Sequence, residues 1–263
     1  MNIGFIGLGN MASAIIKGMT GSGAFRPEQI LGYDPYAPAG EAVKKATGIT
    51  VVPSVREAVA AETVVLAVKP QVLPTVLLEV AKESRTVKLF ISIAAGKPIS
   101  FLREYLGEEV VVARVMPNIN AKVGAATSAF TAPEASEEQK KTVVDIFSSV
   151  GTVTELPEHL FSIFTAVSGS SPAFTYMYID ALAKAAVRGG VPRHQALAIA
   201  ASSVFGSAKM VLEGGEHPME LVDQVSSPAG TTIEGVMALQ ENGFEHAVHA
   251  AVEAAAARDM KMR

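Results

Sequence analysis

Short, unbroken apolar runs recur along roughly the first 155 residues and then stop. That change of pattern constrains the fold more than any single motif. NIGFI (2–6), ILGYD (30–34), ITVV (49–52), TVVLAV (63–68), VKLFISI (87–93) and VVVARV (110–115) are continuous rather than alternating. A strand with one wet face alternates apolar and polar residues, whereas a strand buried on both faces does not. Helical stretches lie between and after these runs, at 10–20, 38–46, 55–61, 71–82, 98–105 and 136–149. This alternation predicts a doubly wound parallel α/β sheet with right-handed crossovers. GAATSAFTA (124–132) reads as a further strand whose direction the pattern does not set.

Beyond residue 157 the strand signal disappears. Residues 168–190, 192–213, 218–224, 231–241 and 244–261 all read as helix, and Gly189-Gly190, Pro192 and Gly214-Gly215 punctuate them. The expected division is therefore an α/β domain over 1–157 and an all-α domain over 158–263. Asp180, Lys184 and Arg188 make one charged stripe at i, i+4, i+8. Almost everything else in AFTYMYIDALAKAAV, and most of HQALAIAASSVFGSAKMVL, is apolar or small. Helices apolar over most of their circumference are buried on several sides. Five such helices can hardly bury one another completely, so a second subunit is expected against them.

Composition narrows the function classes. The chain is 49% hydrophobic and 18% charged, enough apolar material for a sizeable core, with a formal net charge of −4. Nucleic acid and anionic membrane surfaces call for a basic face, so neither is expected as a main partner. The absence of cysteine excludes disulfides, thiolate catalysis and Cys-ligated zinc, and fits a reducing compartment. No apolar run reaches the roughly 18 residues of a membrane span. The N-terminus lacks a charged n-region, and Gly4, Gly7 and Gly9 interrupt its apolar run, so it reads as the start of the fold and not as an export signal. A soluble, cytoplasmic protein is expected.

NIGFIGLGNMASAI places Gly7, Gly9 and Ala12 in a G-x-G-x-x-A pattern that follows a strand and opens a helix. Gly7 permits the tight turn, Gly9 lets backbone approach a pyrophosphate, and Ala12 lets helix and strand pack closely. The helix N-terminus supplies free N–H groups and a favourable dipole for the phosphates. Asp34 ends the second strand, where a carboxylate accepts from a ribose 2′-hydroxyl and repels a 2′-phosphate, so the pattern leans to NADH over NADPH. The same carboxylate is also a fit turn-former before Pro35. AVKP (67–70) and SIAAG (92–96) lie at further strand ends, where small residues let a nicotinamide lie close to backbone. Lys69 is suited to a phosphate or to solvent alone. Met116 and Asn118, in RVMPN, are candidates to line the nicotinamide, with a turn as the alternative role for Asn118.

Read together, GFIGLGNMASAI, LAVKP, SIAAG, VSGSSPAF (167–174), GVPRHQAL (190–197) and QVSSPAGTTIEG (224–235) resemble the pyrroline-5-carboxylate reductase family over essentially the whole length. The resemblance implies NAD(P)H-dependent reduction of Δ1-pyrroline-5-carboxylate to L-proline, the last step of proline biosynthesis. It also implies a Rossmann domain followed by a helical domain that interleaves with a second subunit, in dimers or decamers. The family's cofactor contacts fall on Ile6, Gly7, Leu8, Gly9, Asn10 and Met11, on Asp34 and Ser54, on Ala67, Val68, Lys69 and Pro70, and on Ile93, Ala94 and Ala95. Its substrate contacts fall on Glu158, Gln224, Thr231 and Thr232, with Ser227 and Gly230 in the same loop. Three positions depart from the family's usual pattern. Asp34 stands where NADPH-preferring members often carry a small hydroxyl residue, Gln224 where Asn is common, and PAGTT where PGGTT or PGGAT is usual.

The crowd of hydroxyls in VSSPAGTTIEG suits that substrate, a cyclic imine bearing a carboxylate. Pro228-Ala229-Gly230 leads into a helix starting near Thr231, whose first N–H groups and nearby hydroxyls can hold an anion. The same residues also suit an ordinary helix cap. Ketone reduction develops an alkoxide and needs an acid. A protonated imine already carries its proton, so alignment, exclusion of water and one hydrogen bond to nitrogen suffice. Thr232 is the candidate for that bond.

His159, His194, His217, His246 and His249 form no recognisable metal-ligand pattern, and no metal is expected. Two other readings remain. β-Hydroxyacid dehydrogenases share the N-terminal pattern but use a lysine near an Asn, and here AAVRGG without Asn follows Lys184. A dinucleotide sensor would share the cofactor domain but needs no second site like 226–232.

Overall fold

The computed structural model describes residues 2–84 and 86–261. The chain packs as two compact units, Met1–Gly169 with Ala255–Arg263, and Ser170–Ala254. The change from strands to helices comes just after Glu155, whereas packing divides the chain at Gly169 and returns the end of the last helix to the first unit.

The first unit is built on strands β1 (Ile3–Ile6), β2 (Ile30–Tyr33), β3 (Thr50–Val51), β4 (Thr63–Leu66), β5 (Leu89–Ser92), β6 (Val112–Met116), β7 (Ala126–Thr131) and β8 (Gly151–Glu155). They form one sheet in the order β3-β2-β1-β4-β5-β6-β7-β8. β3 through β6 are parallel, β7 runs antiparallel to β6, and β8 is parallel to β7. Helices α1 (Asn10–Gly21), α2 (Ala37–Thr47), α3 (Val55–Ala58), α4 (Leu73–Glu83), α5 (Ile99–Leu106) and α6 (Glu137–Ser148) connect them.

The continuous apolar runs are divided residue by residue between two cores. Ile3, Phe5, Val65, Leu89, Ile91, Ala113 and Val115 pack with Ile15, Ile16 and Met19 of α1 and Ile146 and Phe147 of α6. Their neighbours Ile6, Val64, Leu66, Phe90 and Val112 pack with Leu73, Leu77 and Val80 of α4 and Leu102 of α5. Period-two side chains with both faces covered produce the unbroken apolar signal.

β8 is the strand that the sequence pattern does not anticipate. GTVTE is polar at alternate positions and largely exposed, the pattern of an edge strand, so no continuous apolar run marks it. The helix expected from 168 begins earlier and in pieces: α7 (Phe161–Phe164), a π-helical turn over Thr165–Ser170, and then α8 (Ser171–Arg188).

The second unit holds α8, α9 (Arg193–Gly214), α10 (Pro218–Val225), α11 (Thr231–Glu241) and the first part of α12 (Phe244–Met260). Its buried apolar cluster is small: Ala183, Ala196 and Ala200. Large apolar side chains face outward instead, with Phe205 72%, Met177 73% and Leu212 81% exposed. Asp180 ties α8 to α9. It pairs with Lys184 at 2.8 Å and with Arg193, and those two hydrogen bonds hold its carboxyl below the usual range. Among the described residues α9 is the one helix long and apolar enough to cross a membrane by length and composition, at mean hydropathy 1.3. α12 ends in the first unit, where Ala256 and Asp259 are buried and Ser162 Oγ donates to Asp259 Oδ2 at 2.7 Å.

Gly151 opens β8 with φ of +151°, opposite Ala126 in the ladder. A Cβ there would lie 2.0 Å from the Ala126 carbonyl oxygen. Gly151→Ala is therefore expected to destabilise the first unit by about 2 kcal/mol, the scale of overpacking a fitted site, read as a lower urea midpoint.

Candidate active site

A doubly wound sheet binds ligands beyond the carboxyl ends of its strands, where the strand order reverses. Here the reversal lies between β1 and β4, and the β1–α1 turn sits on it. Gly7 takes φ of +92°, and a Cβ would come within 2.8 Å of the Ala67 carbonyl and 2.9 Å of Val68 Cγ1. Its N–H donates to the Tyr33 carbonyl at 2.8 Å, which ties the turn to the end of β2. Gly9 caps α1 without any side-chain hydrogen bond, and nothing lies within 4 Å of the position its Cβ would take. The first-turn amides of Asn10, Met11 and Ala12 thus begin an uncapped helix beside open space, which is what a pyrophosphate needs. Ala12 is buried against the core, while Asn10 is exposed and Met11 half-buried.

Asp34 is already hydrogen-bonded twice. Its Oδ2 accepts from Leu8 N–H at 2.7 Å and its Oδ1 from Tyr36 N–H at 2.9 Å. The carboxylate therefore both forms the turn and locks onto the glycine loop. A cleft of about 550 Å³ opens beside it, lined in part by Tyr33, Glu41, Lys44, Val52 and Pro53. Ser54 sits next in sequence but spends its hydroxyl locally. It caps α3 by accepting from Glu57 N–H at 3.3 Å, and it donates to Glu57 Oε1 at 3.1 Å.

Ile6, Ala67 and Ile93 lie at adjacent strand ends, joined by Ala67 N–H to Ile6 O at 2.8 Å and Ile93 N–H to Leu66 O at 3.2 Å. Val68 and Pro70 are half-buried and Lys69 is exposed. Ala94 is buried, its N–H donating to Ser92 Oγ at 3.3 Å, and Ala95 is half-buried. Met116 is half-buried at the end of β6. Asn118 is only 5% exposed and uses both ends of its amide within the fold. Nδ2 donates to the Ser168 carbonyl at 3.1 Å, and Oδ1 accepts from Thr127 N–H at 3.2 Å. It pins the π-helical turn to β7.

The sequence reading passed over Arg114. It is among the largest fully buried side chains, at 2% exposure. Nη1 lies 3.1 Å from Glu158 Oε1, and the guanidinium stands 4.6 Å over the Phe161 ring. The same Glu158 oxygen accepts from Ile99 N–H at 2.9 Å, at the start of α5. The available signal was a lone charge inside VVVARV, since buried charges occur only with partners.

In the second unit, the segment between α10 and α11 turns on Gly230 N–H to Ser227 O at 3.0 Å. Gly230 caps α11 with no side-chain hydrogen bond, and a Cβ on it would lie 2.3 Å from Ser227 Oγ. Ser226 Oγ is buried without a partner among the described residues. Thr231 and Thr232 are exposed at the first turn. Gln224 Nε2 donates to Glu216 Oε1 at 2.9 Å, which holds it on α10. Lys184 is engaged with Asp180, outside this loop. His217 has a structural role, with its Nδ1 accepting from Met219 N–H at 3.2 Å to cap α10. Among the described residues no group of three or more His, Asp or Glu side chains converges as a metal site would require.

The family profile described as NADP oxidoreductase, coenzyme F420-dependent, matches residues 2–96, and that described as pyrroline-5-carboxylate reductase dimerisation matches residues 158–262. Glycine turn, strand order and helical half together define a self-associating, nicotinamide-dependent oxidoreductase. The pyrroline-5-carboxylate reductases of Methanosarcina acetivorans and Escherichia coli are each 44% identical to the chain, covering 99% and 94% of it and 97% and 92% of themselves. Solved structures agree: a pyrroline-5-carboxylate reductase from Coxiella burnetii superposes with TM-score 0.95 at 30% identity, covering 99% of this chain and 98% of its own. The Plasmodium falciparum enzyme with NADP bound superposes with TM-score 0.88 at 32% identity, covering 100% and 98%. The chain belongs to the pyrroline-5-carboxylate reductase family.

Ala229 takes φ of +56°, the left-handed region in which an L side chain is strained. Ala229→Gly is expected to stabilise the folded chain by a net ~0.5 kcal/mol, as relief of strain exceeds the extra freedom gained by the unfolded chain. Equilibrium urea unfolding reads this directly.

Proposed function

We propose that the protein reduces Δ1-pyrroline-5-carboxylate to L-proline by hydride transfer from a reduced nicotinamide dinucleotide. The observation that carries the reading is the uncapped N-terminus of α11, with Ser227, Thr231 and Thr232 at its mouth. Open backbone amides and hydroxyls bind a carboxylate without a bulky cation, each charge-assisted bond contributing about 1.5–3 kcal/mol. No histidine, lysine or tyrosine lies in 224–235 to serve as an acid. An iminium needs none, because hydride addition to its carbon leaves a neutral secondary amine. Thr232 donates or accepts one hydrogen bond at that nitrogen, and the rate depends on holding nicotinamide C4 roughly 3–3.5 Å from the imine carbon.

The cofactor of choice is NADH. Two backbone N–H bonds fix Asp34, so it cannot swing aside for a 2′-phosphate, and a ribose 2′-hydroxyl can donate to it. The outward apolar side chains of the helical unit support a dimer as the smallest assembly, from which a decamer can be built.

The direct assay follows loss of reduced-nicotinamide absorbance with pyrroline-5-carboxylate and either cofactor. A folded protein that binds a cofactor but oxidises neither would end the imine-reductase reading. Thr232→Ala is expected to lower kcat/KM about tenfold to a hundredfold, the weight of one hydrogen bond to a charged group, with cofactor affinity nearly unchanged. Asp34→Ser is expected to raise NADPH kcat/KM relative to NADH by at least about tenfold, as like-charge repulsion is removed. An unmoved ratio would show that Asp34 serves only the turn.

A further inference from the structure

The loop between β5 and α5, residues 93–98, approaches the half of the sheet beyond the order reversal, where a dinucleotide places its nicotinamide. It is held at its start by the Ile93 and Ala94 amides. At its far end stands Pro98, the N-cap of α5, which provides no side-chain hydrogen bond to the helix. A proline cannot supply one, and an uncapped helix start drifts or is satisfied by something else. Here Glu158, fifty-nine positions along the chain, does so: its Oε1 accepts from Ile99 N–H at 2.9 Å. Arg114, buried at 2% exposure on β6, donates to the same oxygen at 3.1 Å, and its guanidinium lies over Phe161. One carboxylate oxygen thus joins the end of the loop to the neighbouring strand.

We infer that Arg114 and Glu158 are positioning residues for the nicotinamide ring, acting through the height of the 93–98 loop. This rests on the nicotinamide-dependent reading above and assigns the pair a role on the cofactor side of the site. Ile93, Ala94 and Ala95 have small or apolar side chains and offer mainly backbone and shape, so their effect depends on where the loop stands. A loop displaced by a fraction of an ångström still accepts the adenosine half, which binds at β1 to β3, but holds the nicotinamide poorly. A purely structural ion pair would affect every ligand alike.

The test measures binding without substrate, so that any contact of Glu158 with substrate does not enter. NADH and ADP-ribose, which lacks only the nicotinamide, are titrated by calorimetry against the full-length wild type, Glu158→Ala, Glu158→Gln and Arg114→Met. Glu158→Ala is expected to weaken NADH binding about tenfold, the weight of a lost hydrogen bond to a charged group, while ADP-ribose changes less than about twofold. Glu158→Gln, which keeps an amide oxygen for Ile99 N–H, recovers most of the loss, and Arg114→Met falls between. Equal loss of both ligands, or NADH affinity unchanged in Glu158→Ala, overturns the inference. If Arg114→Met fails to fold, the two variants at the half-exposed Glu158 carry the test. Failure of the wild type to bind NADH overturns the parent reading instead, so the two failures are distinct.

Discussion

Burial of one sheet on both faces is the constraint from which the rest follows. Alternate residues of β1, β4, β5 and β6 feed two separate cores, so helices cover both sides, as the crossovers between parallel strands place them. The open places left are the strand ends. There the positive φ of Gly7 and the closeness of the Ala67 carbonyl leave no room for a side chain, and the tight turn brings the start of α1 over the order reversal. A dinucleotide site is what remains when a parallel sheet is fully dressed and one turn is kept bare.

Two helix starts are built alike. α1 begins at Gly9 and α11 at Gly230, and neither glycine carries a capping side chain. α2, α4, α8 and α9 also start without a capping side chain, but none of them has a glycine N-cap, and α6 is closed by Ser136 and Gln139. Leaving a helix start unsatisfied costs stability in the empty protein and reserves those amides for a ligand. Asp34 and Glu158 show the complementary device, carboxylates that accept from backbone amides distant in sequence and so fix loops at the rim.

Much of this was legible in the sequence. Fully buried strands announce themselves as continuous apolar runs, and the glycine turn by its spacing. β8 was not legible, because an edge strand with an exposed polar face has the composition of a loop. Residues 168–170, the second half of the π-helical turn, were read as plain helix, since composition does not register one extra residue in a helical turn. At the site, Gly7, Asp34 and the hydroxyl loop could be singled out by residue type. Arg114 and the internal commitments of Asn118 could not, because partners far apart in sequence decide them.

Among the described residues the helical unit encloses only Pro172, Ala183, Ala196 and Ala200, none of them large, while Phe205 and Leu212 point outward. So little enclosed surface cannot offset the entropy of ordering five helices in a lone chain. Completion of this half of the molecule is then a bimolecular event, governed by mass action and not by the chain alone. A newly made copy must meet another before its outward apolar side chains are covered. The amount of active enzyme accordingly rises more steeply than the amount of polypeptide when copies are scarce, so that expression level itself acts as a threshold.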